Sequence, residues 1–223
     1  MNNNQVILGY WDFRGLGEPL KTALEYLNIP YIMELYSTDS EEEWFQKKEQ
    51  AEYLFPNLPY LIDGDKTITE SEAILVHICL KAGRYEMLGK HQDRVEFIQF
   101  SNIIYDIYKA FTRPLFDNKT IDSFKNNISS VVNEFQKKLT GLNEALGKRE
   151  WLLGYLTYLD FILGELIERL SQIDEEIGTE ITRDYPNLIA HMKRFVEIPR
   201  IREYRQSERF KARPHNAHLA IWK

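Results

Sequence analysis

The stretch Val6-Ile7-Leu8-Gly9-Tyr10, continued by Trp11-Asp12-Phe13 and the turn Arg14-Gly15-Leu16-Gly17, decides how the first third of the chain is read. Val6 to Tyr10 is a short apolar run rich in β-forming residues and bounded by a glycine turn, which predicts a strand. Pro19 falls in the first turn of the helix that follows, where a missing N–H removes no intrahelical bond. Leu16, Leu20, Ala23, Leu24 and Leu27 recur at helical spacing and make one buried stripe. Tyr31 to Tyr36 predicts a second strand, and strand–helix–strand order implies a parallel pair joined by a right-handed crossover.

Beyond this unit, Ser37 to Tyr53 reads as a polar loop and helix. Leu58 to Ile62 and Thr67 to Thr69 flank Asp63-Gly64-Asp65-Lys66, a hairpin signal built on a glycine turn. Ser71 opens another helix, with Ile74, Leu75, Ile78 and Cys79 on its inner face. The order β-α-β, then β-β-α, with a proline entering the third strand, suits a thioredoxin-like domain over residues 1–84. After Gly83 the pattern is helical. Val95 to Phe111 is a long apolar-rich segment interrupted by Pro114, and apolar residues from Ile121 to Leu146 recur every three or four positions. Further helices are expected from Thr157 and Pro186. The expected fold class is therefore α/β plus all-α: a first domain over 1–84, a linker over 85–91, and a helical bundle over 92–223.

The 223 residues carry 28 Lys and Arg against 34 Asp and Glu, a net charge of −6, with 43% hydrophobic residues. That balance excludes a disordered or fibrous chain. The charge is uneven, since residues 1–84 hold 7 basic against 14 acidic residues. Lys193 to Arg213 is locally basic, but Glu197, Glu203 and Glu208 interleave, so a solvated helix face is expected and no nucleic-acid partner. Cys79 is the single cysteine, so neither an internal disulfide nor a cysteine zinc site can form. The window Trp151 to Leu170 holds Asp160, Glu165 and Glu168, which argues against a membrane span. With no secretory pattern at the N-terminus, a cytoplasmic protein is expected.

No phosphate-binding glycine loop, His-Glu-x-x-His zinc motif or Gly-x-Ser-x-Gly elbow is present. His215 and His218 lack a carboxylate or cysteine partner in sequence, so no metal is expected, and His77 reads as a core or interface histidine. Cys79, in an apolar stripe, reads as a buried small hydrophobe. What remains is chemistry at strand ends and helix starts. Ile7-Leu8-Gly9-Tyr10-Trp11-Asp12-Phe13-Arg14-Gly15-Leu16 resembles the mu class of cytosolic glutathione transferases. So do Phe55-Pro56-Asn57-Leu58-Pro59-Tyr60-Leu61-Ile62-Asp63-Gly64, Gly147-Lys148-Arg149-Glu150-Trp151, Arg209-Phe210-Lys211-Ala212-Arg213-Pro214 and the terminal Ile221-Trp222. The resemblance runs along nearly the whole chain.

It implies a glutathione transferase fold with glutathione as co-substrate. Tyr10 would be the catalytic residue, donating its hydroxyl hydrogen to the glutathione sulfur. Pro59 would follow a cis peptide bond that turns the Leu58 backbone toward the cysteinyl part. Glu70 and Ser71 would bind the γ-glutamyl group, with Glu70 where mu-class enzymes usually have glutamine. Trp44 and Lys48 would hold the glycine carboxylate, while Glu41 stands where the family has an arginine and the loop before Trp44 is short. Trp11, Leu16 and Asn57 complete the glutathione-binding set, together with Asp106, which would reach across a homodimer. Trp11, Phe13, Leu16, Phe111, Thr112 and Phe116 would wall the pocket for a small electrophile, with the more polar Asn216 replacing a common aromatic. Phe116 stands where relatives place a second tyrosine, for which Tyr108 is an alternative hydroxyl. Phe55 would be the aromatic key of the dimer, and Thr157-x-x-Asp160 the capping box of the family's folding signature.

Without the resemblance, each residue has a plainer reading. Tyr10 would anchor a strand end, Trp44 and Lys48 would lie on the surface, Asp106 would be solvated, and Thr69-x-x-Glu72 would be a capping box. Two other functions remain open: a non-catalytic carrier of apolar ligands, and a transferase-like protein-interaction module using Lys193 to Arg213.

Overall fold

The computed structural model describes residues 5–212 and 214–223; Arg213 and the first four residues, on which parts of the terminal readings fall, lie outside the described residues. The strands are β1 (Val6–Trp11), β2 (Tyr31–Tyr36), β3 (Tyr60–Asp63) and β4 (Lys66–Thr69). The helices are α1 (Gly17–Tyr26), α2 (Glu42–Glu49), α3 (Ser71–Lys81), α4 (Arg94–Asp117), α5 (Ile121–Leu146), α6 (Tyr158–Ile177), α7 (Pro186–Val196) and α8 (Pro199–Arg205). Backbone contacts divide the chain into two compact units. One holds residues up to Arg84 with Pro199–His218 and Lys223, the other Tyr85–Ile198 with Leu219–Trp222.

In the first unit the sheet order is β2-β1-β3-β4, with β1 parallel to β2 and the other pairs antiparallel. The expected β-α-β and β-β-α arrangement is therefore present. Alternation along β1 sends Val6, Leu8 and Tyr10 to one face and Gly9 and Trp11 to the other. The start of α1 lies against the Tyr10 face, where a Cβ on Gly17 would stand 2.5 Å from Tyr10 Cδ1. On α3, His77 and Lys81 both reach Asp63, at 2.8 and 2.9 Å. Burial of Asp63 opposes its charge, but the hydrogen bonds and charges of Lys81 and His77 outweigh it and hold the carboxyl below its usual range. His77 is thus half-buried and hydrogen-bonded to Asp63, and Cys79 is fully buried as expected.

Residues 199–218 were expected within the helical domain, and the division instead joins them to the first unit. The cause lies in buried polar groups at the start of α1. Glu18 is 1% exposed and accepts from Tyr204 Oη at 2.8 Å and Lys21 Nζ at 3.0 Å. Arg14 N and Gly15 N donate to the carbonyls of Pro214 and His215 at 2.9 and 3.0 Å. A glutamate out of water needs such partners, and α8 with the segment after it supplies them.

In the second unit α6 is buried over nearly its whole length from Tyr158 to Leu170 and packs against α4 and α7. It opens at the Thr157–Asp160 capping box, as the sequence reading has it. Helix α5 has the limits expected of it, Ile121–Leu146, and ends at Gly147 with φ 46°. Helix α4 runs further than expected, through Pro114 to Asp117. Just past its end the side-chain amide of Asn118 donates to the Pro114 carbonyl at 2.6 Å, satisfying a terminal acceptor. Among the described residues no helix is long and apolar enough to cross a membrane.

Candidate active site

Tyr10 ends β1 with 6% of its surface exposed. The turn after it folds back so that the Leu16 N–H donates to the Tyr10 hydroxyl oxygen at 3.0 Å. That closure requires Gly15: its φ of 37° is unfavourable for a side chain, and a Cβ would stand 2.6 Å from the Tyr10 oxygen. An N–H aimed at the phenol oxygen draws electron density from it, which makes its own hydrogen a better donor. Phe13 packs edge-on against the Tyr10 ring at 5.4 Å.

Tyr10 belongs to one apolar cluster with Tyr36, Trp44, Leu58 and Tyr60, flanked by Trp11, Phe13 and Leu16. Six residues expected at the site, Tyr10, Trp11, Phe13, Leu16, Trp44 and Leu58, are thus brought together. Trp44 is 3% exposed, so its reading as a surface residue is overturned. It stacks on Tyr60 at 6.1 Å with an interplanar angle of 21° and meets Tyr36 edge-on at 5.5 Å. Lys48 is exposed, as are Asn57 and Glu70. A cavity of about 540 Å3 within this unit has Tyr10, Trp11, Phe13, Met33, Leu35 and Lys211 in its wall.

The Leu58–Pro59 peptide is cis, and both residues are buried. Helix α3 begins at Ser71, with Glu70 as its N-cap at φ 69° and no side-chain cap. The Thr69–Glu72 box therefore does not open this helix. A side-chain-bearing residue at positive φ costs about 1–3 kcal/mol, and such strain concentrates where a backbone must present groups to a ligand. Glu70 immediately precedes the first-turn N–H groups of α3, and such groups suit a carboxylate while a glutamate suits an ammonium.

In the second unit the remaining candidates lie along α4. Asp106 is exposed and accepts from Lys138 Nζ at 2.6 Å. Phe111 is fully buried. Thr112 donates to the Tyr108 carbonyl at 2.7 Å and accepts from the Arg169 guanidinium at 3.2 Å. Phe116 is 46% exposed, whereas Tyr108 is buried with the Arg169 guanidinium 4.3 Å from its ring centre. Among the described residues no group of three or more His, Cys, Asp and Glu converges as a metal site. His215 is buried, and His218 is 3.4 Å from Asp39.

The sequence reading missed Glu34 and Lys47. Lys47 contacts the Glu34 carboxylate and lies 2.7 Å from Tyr60 Oη. Burial opposes the charge on Glu34, but hydrogen bonds from Lys47 and Tyr60 and the Lys47 charge hold its carboxyl below the usual range. Tyr60 is pushed well above the ordinary phenol range by burial and then by its bond to Glu34. The available signal was the alternation of β2, which puts Glu34 and Tyr36 on one face.

The glutathione S-transferase N-terminal domain family matches residues 7–79, and the C-terminal domain family of the same proteins matches residues 105–208. The chain belongs to the glutathione S-transferase family. It is 32% identical to glutathione S-transferase Mu 1 of Bos taurus over 226 residues, covering 97% of this chain and 98% of the relative. Identity to glutathione S-transferase 2 of Gallus gallus is 31% over 230 residues, covering 97% of each. The crystal structure of the glutathione S-transferase Blo t 8 superposes with a TM-score of 0.80 at 27% identity, covering 96% of this chain and 98% of that one.

Proposed function

We propose that this protein is a cytoplasmic, homodimeric glutathione transferase that adds the glutathione thiolate to electrophilic, largely apolar small molecules in detoxification. The observation that carries the reading is the Tyr10 hydroxyl, held at the strand end by the Leu16 N–H at 3.0 Å. A thiol with an ordinary pKa of about 8.5 is only a few per cent ionised at neutral pH. One hydrogen bond aimed at the sulfur favours the anion and makes the nucleophile available. Neither a ligand carrier nor an interaction module needs that donor. In this reading Leu58, Glu70 and Ser71 bind the cysteinyl and γ-glutamyl parts, Trp44 and Lys48 the glycine carboxylate, and Trp11, Leu16 and Asn57 complete the set. Trp11, Phe13 and Leu16 contribute apolar walls for the electrophile. The single, buried cysteine suits a reducing compartment. The test is a pH titration of thiolate absorbance from protein-bound glutathione. A midpoint well below that of the free thiol is expected, and an unshifted midpoint overturns the reading.

Glu70 offers a second check. Glu70→Gly relieves the strain at φ 69° and removes the carboxylate. Thermal unfolding is expected to be unchanged or raised, because strain relief offsets the roughly 0.5–1 kcal/mol entropic cost of a glycine. Affinity for glutathione, measured calorimetrically, should fall by about 10-fold, as for one lost hydrogen bond to a charged group. Unchanged affinity removes Glu70 from the γ-glutamyl site.

Leu54 and Phe55 support the homodimer. They are 80% and 77% exposed, a neighbouring pair of large apolar side chains in water. Phe55→Ala is expected to weaken association by about 2–4 kcal/mol, the range of a hot-spot aromatic. Sedimentation equilibrium measures this, and an equally tight dimer excludes Phe55 from the interface. Asp106 is proposed to reach the glutathione of the partner subunit, exchanging its bond to Lys138.

A further inference from the structure

The register of the sheet puts three residues side by side across β2, β1 and β3: Gly9 pairs with Glu34 on one side and with Tyr60 on the other. All three therefore face the same way. The Tyr60 ring crosses the space a Gly9 side chain would fill, since a Cβ there would lie 2.1 Å from Tyr60 Cζ. The Tyr60 hydroxyl thereby reaches the Glu34 carboxylate. Tyr36, two residues after Glu34, brings its own hydroxyl within 2.7 Å of Tyr60 Oη and 3.3 Å of Glu34. Onto this row descends Lys47 from α2, with its ammonium on Glu34, 2.7 Å from Tyr60 Oη and 4.9 Å from the Tyr60 ring centre.

Helix α2 has eight residues, of which Trp44 alone is buried, and its N-cap makes no side-chain hydrogen bond. A helix so short has little stability of its own and takes its place from tertiary contacts. Trp44 stacks on the face of Tyr60, while Lys47, three residues on, grips the hydroxyl of the same ring. One point of attachment leaves a helix able to swing; two fix its direction. We infer that Lys47, with Glu34, Tyr36 and Tyr60, is a positioning residue that orients α2 and so sets the affinity for the glycine carboxylate of glutathione through Trp44 and Lys48. This rests on the assignment of Trp44 and Lys48 to that carboxylate. The pair is partly exposed, at 38% and 36%, so its effect falls on local orientation more than on the stability of the fold. The hydroxyl of Tyr10 is held separately, by the backbone at Leu16.

The test compares wild type, Lys47→Met, Glu34→Gln, the exchanged pair Glu34→Lys with Lys47→Glu, and Trp44→Phe. Each is measured for glutathione affinity by calorimetry and for kcat at saturating glutathione. Lys47→Met and Glu34→Gln are expected to weaken affinity by about 10-fold with kcat within about twofold of wild type, the pattern of lost ground-state binding. The exchanged pair should recover affinity to within about threefold, because it rebuilds the ion pair with opposite polarity. Unchanged affinity in Lys47→Met, a loss in kcat in place of affinity, or an exchanged pair as weak as the single variants overturns the inference. If Lys47→Met binds normally while Trp44→Phe binds weakly, the positioning role alone fails. If Trp44→Phe binds as wild type, the carboxylate assignment fails and the inference with it.

Discussion

Tyr10→Phe is expected to lower turnover of a nitroaromatic electrophile by on the order of 10²-fold while leaving glutathione affinity nearly intact. The change removes one oxygen. The ring still packs against Phe13 and the start of α1, so the β1–α1 turn keeps its apolar support. What is lost is the proposed donor to sulfur and the acceptor of the Leu16 N–H. A factor of 10² corresponds to about 2.7 kcal/mol, within the range for one donor to an anion in a site that excludes water. Affinity is expected to survive because, in the proposed reading, groups on Leu58, Ser71 and Trp44 hold the tripeptide along its length. The effect should be visible twice, as a fall in kcat and as a thiolate titration of bound glutathione displaced upward toward the free thiol. A variant with wild-type turnover and an unshifted titration removes Tyr10 from the chemistry.

Much of this site was legible because its parts are local. The strand, the glycine turn and the leucine stripe after Tyr10 lie within one stretch, and periodicity over Ile121 to Leu146 fixed the limits of α5. The features that stayed hidden depend on contacts between distant residues. Nothing near Glu18 announces that its carboxylate is buried and bonded to Tyr204, 186 residues away, which brings α8 into the first unit. Pro114 signals a break to any local rule, yet α4 continues for three more residues. The α2 sequence is polar apart from Trp44 and Phe45, so neither the burial of Trp44 nor the exposure of Phe45, at 49%, follows from its pattern. Of the adjacent Lys47 and Lys48, the family resemblance singles out the second. Only the side-by-side register of Glu34, Gly9 and Tyr60 shows what the first one grips.

Asp160→Ala is expected to destabilise the protein by about 3–5 kcal/mol, the cost of leaving buried donors without their charged acceptor. Asp160 is fully buried, and both of its oxygens are used. Oδ2 accepts from the Thr157 N–H at 2.8 Å and the Thr157 hydroxyl at 3.0 Å. Oδ1 accepts from the Leu152 N–H at 3.2 Å and from His191 Nε2 at 2.9 Å. One carboxylate therefore starts α6, ties down the loop before it, and holds an α7 histidine that is itself 0% exposed. Alanine leaves all four donors with no oxygen in a place water does not reach. The outcome should grade with chemistry: Asp160→Asn keeps one acceptor oxygen but turns an amide N–H₂ toward donors, so it should lose less, about 2 kcal/mol. Thr157→Val, which removes one hydroxyl donor together with its role as cap, should lose about 1 kcal/mol. Urea unfolding followed by circular dichroism gives the order through the midpoints, with Asp122→Ala on the exposed first turn of α5 as the neutral reference. If Asp160→Ala unfolds within 1 kcal/mol of wild type, or no less stably than Asp160→Asn, the four hydrogen bonds do not hold α6 in its place and the stability of the second unit must come from the apolar packing of that helix alone.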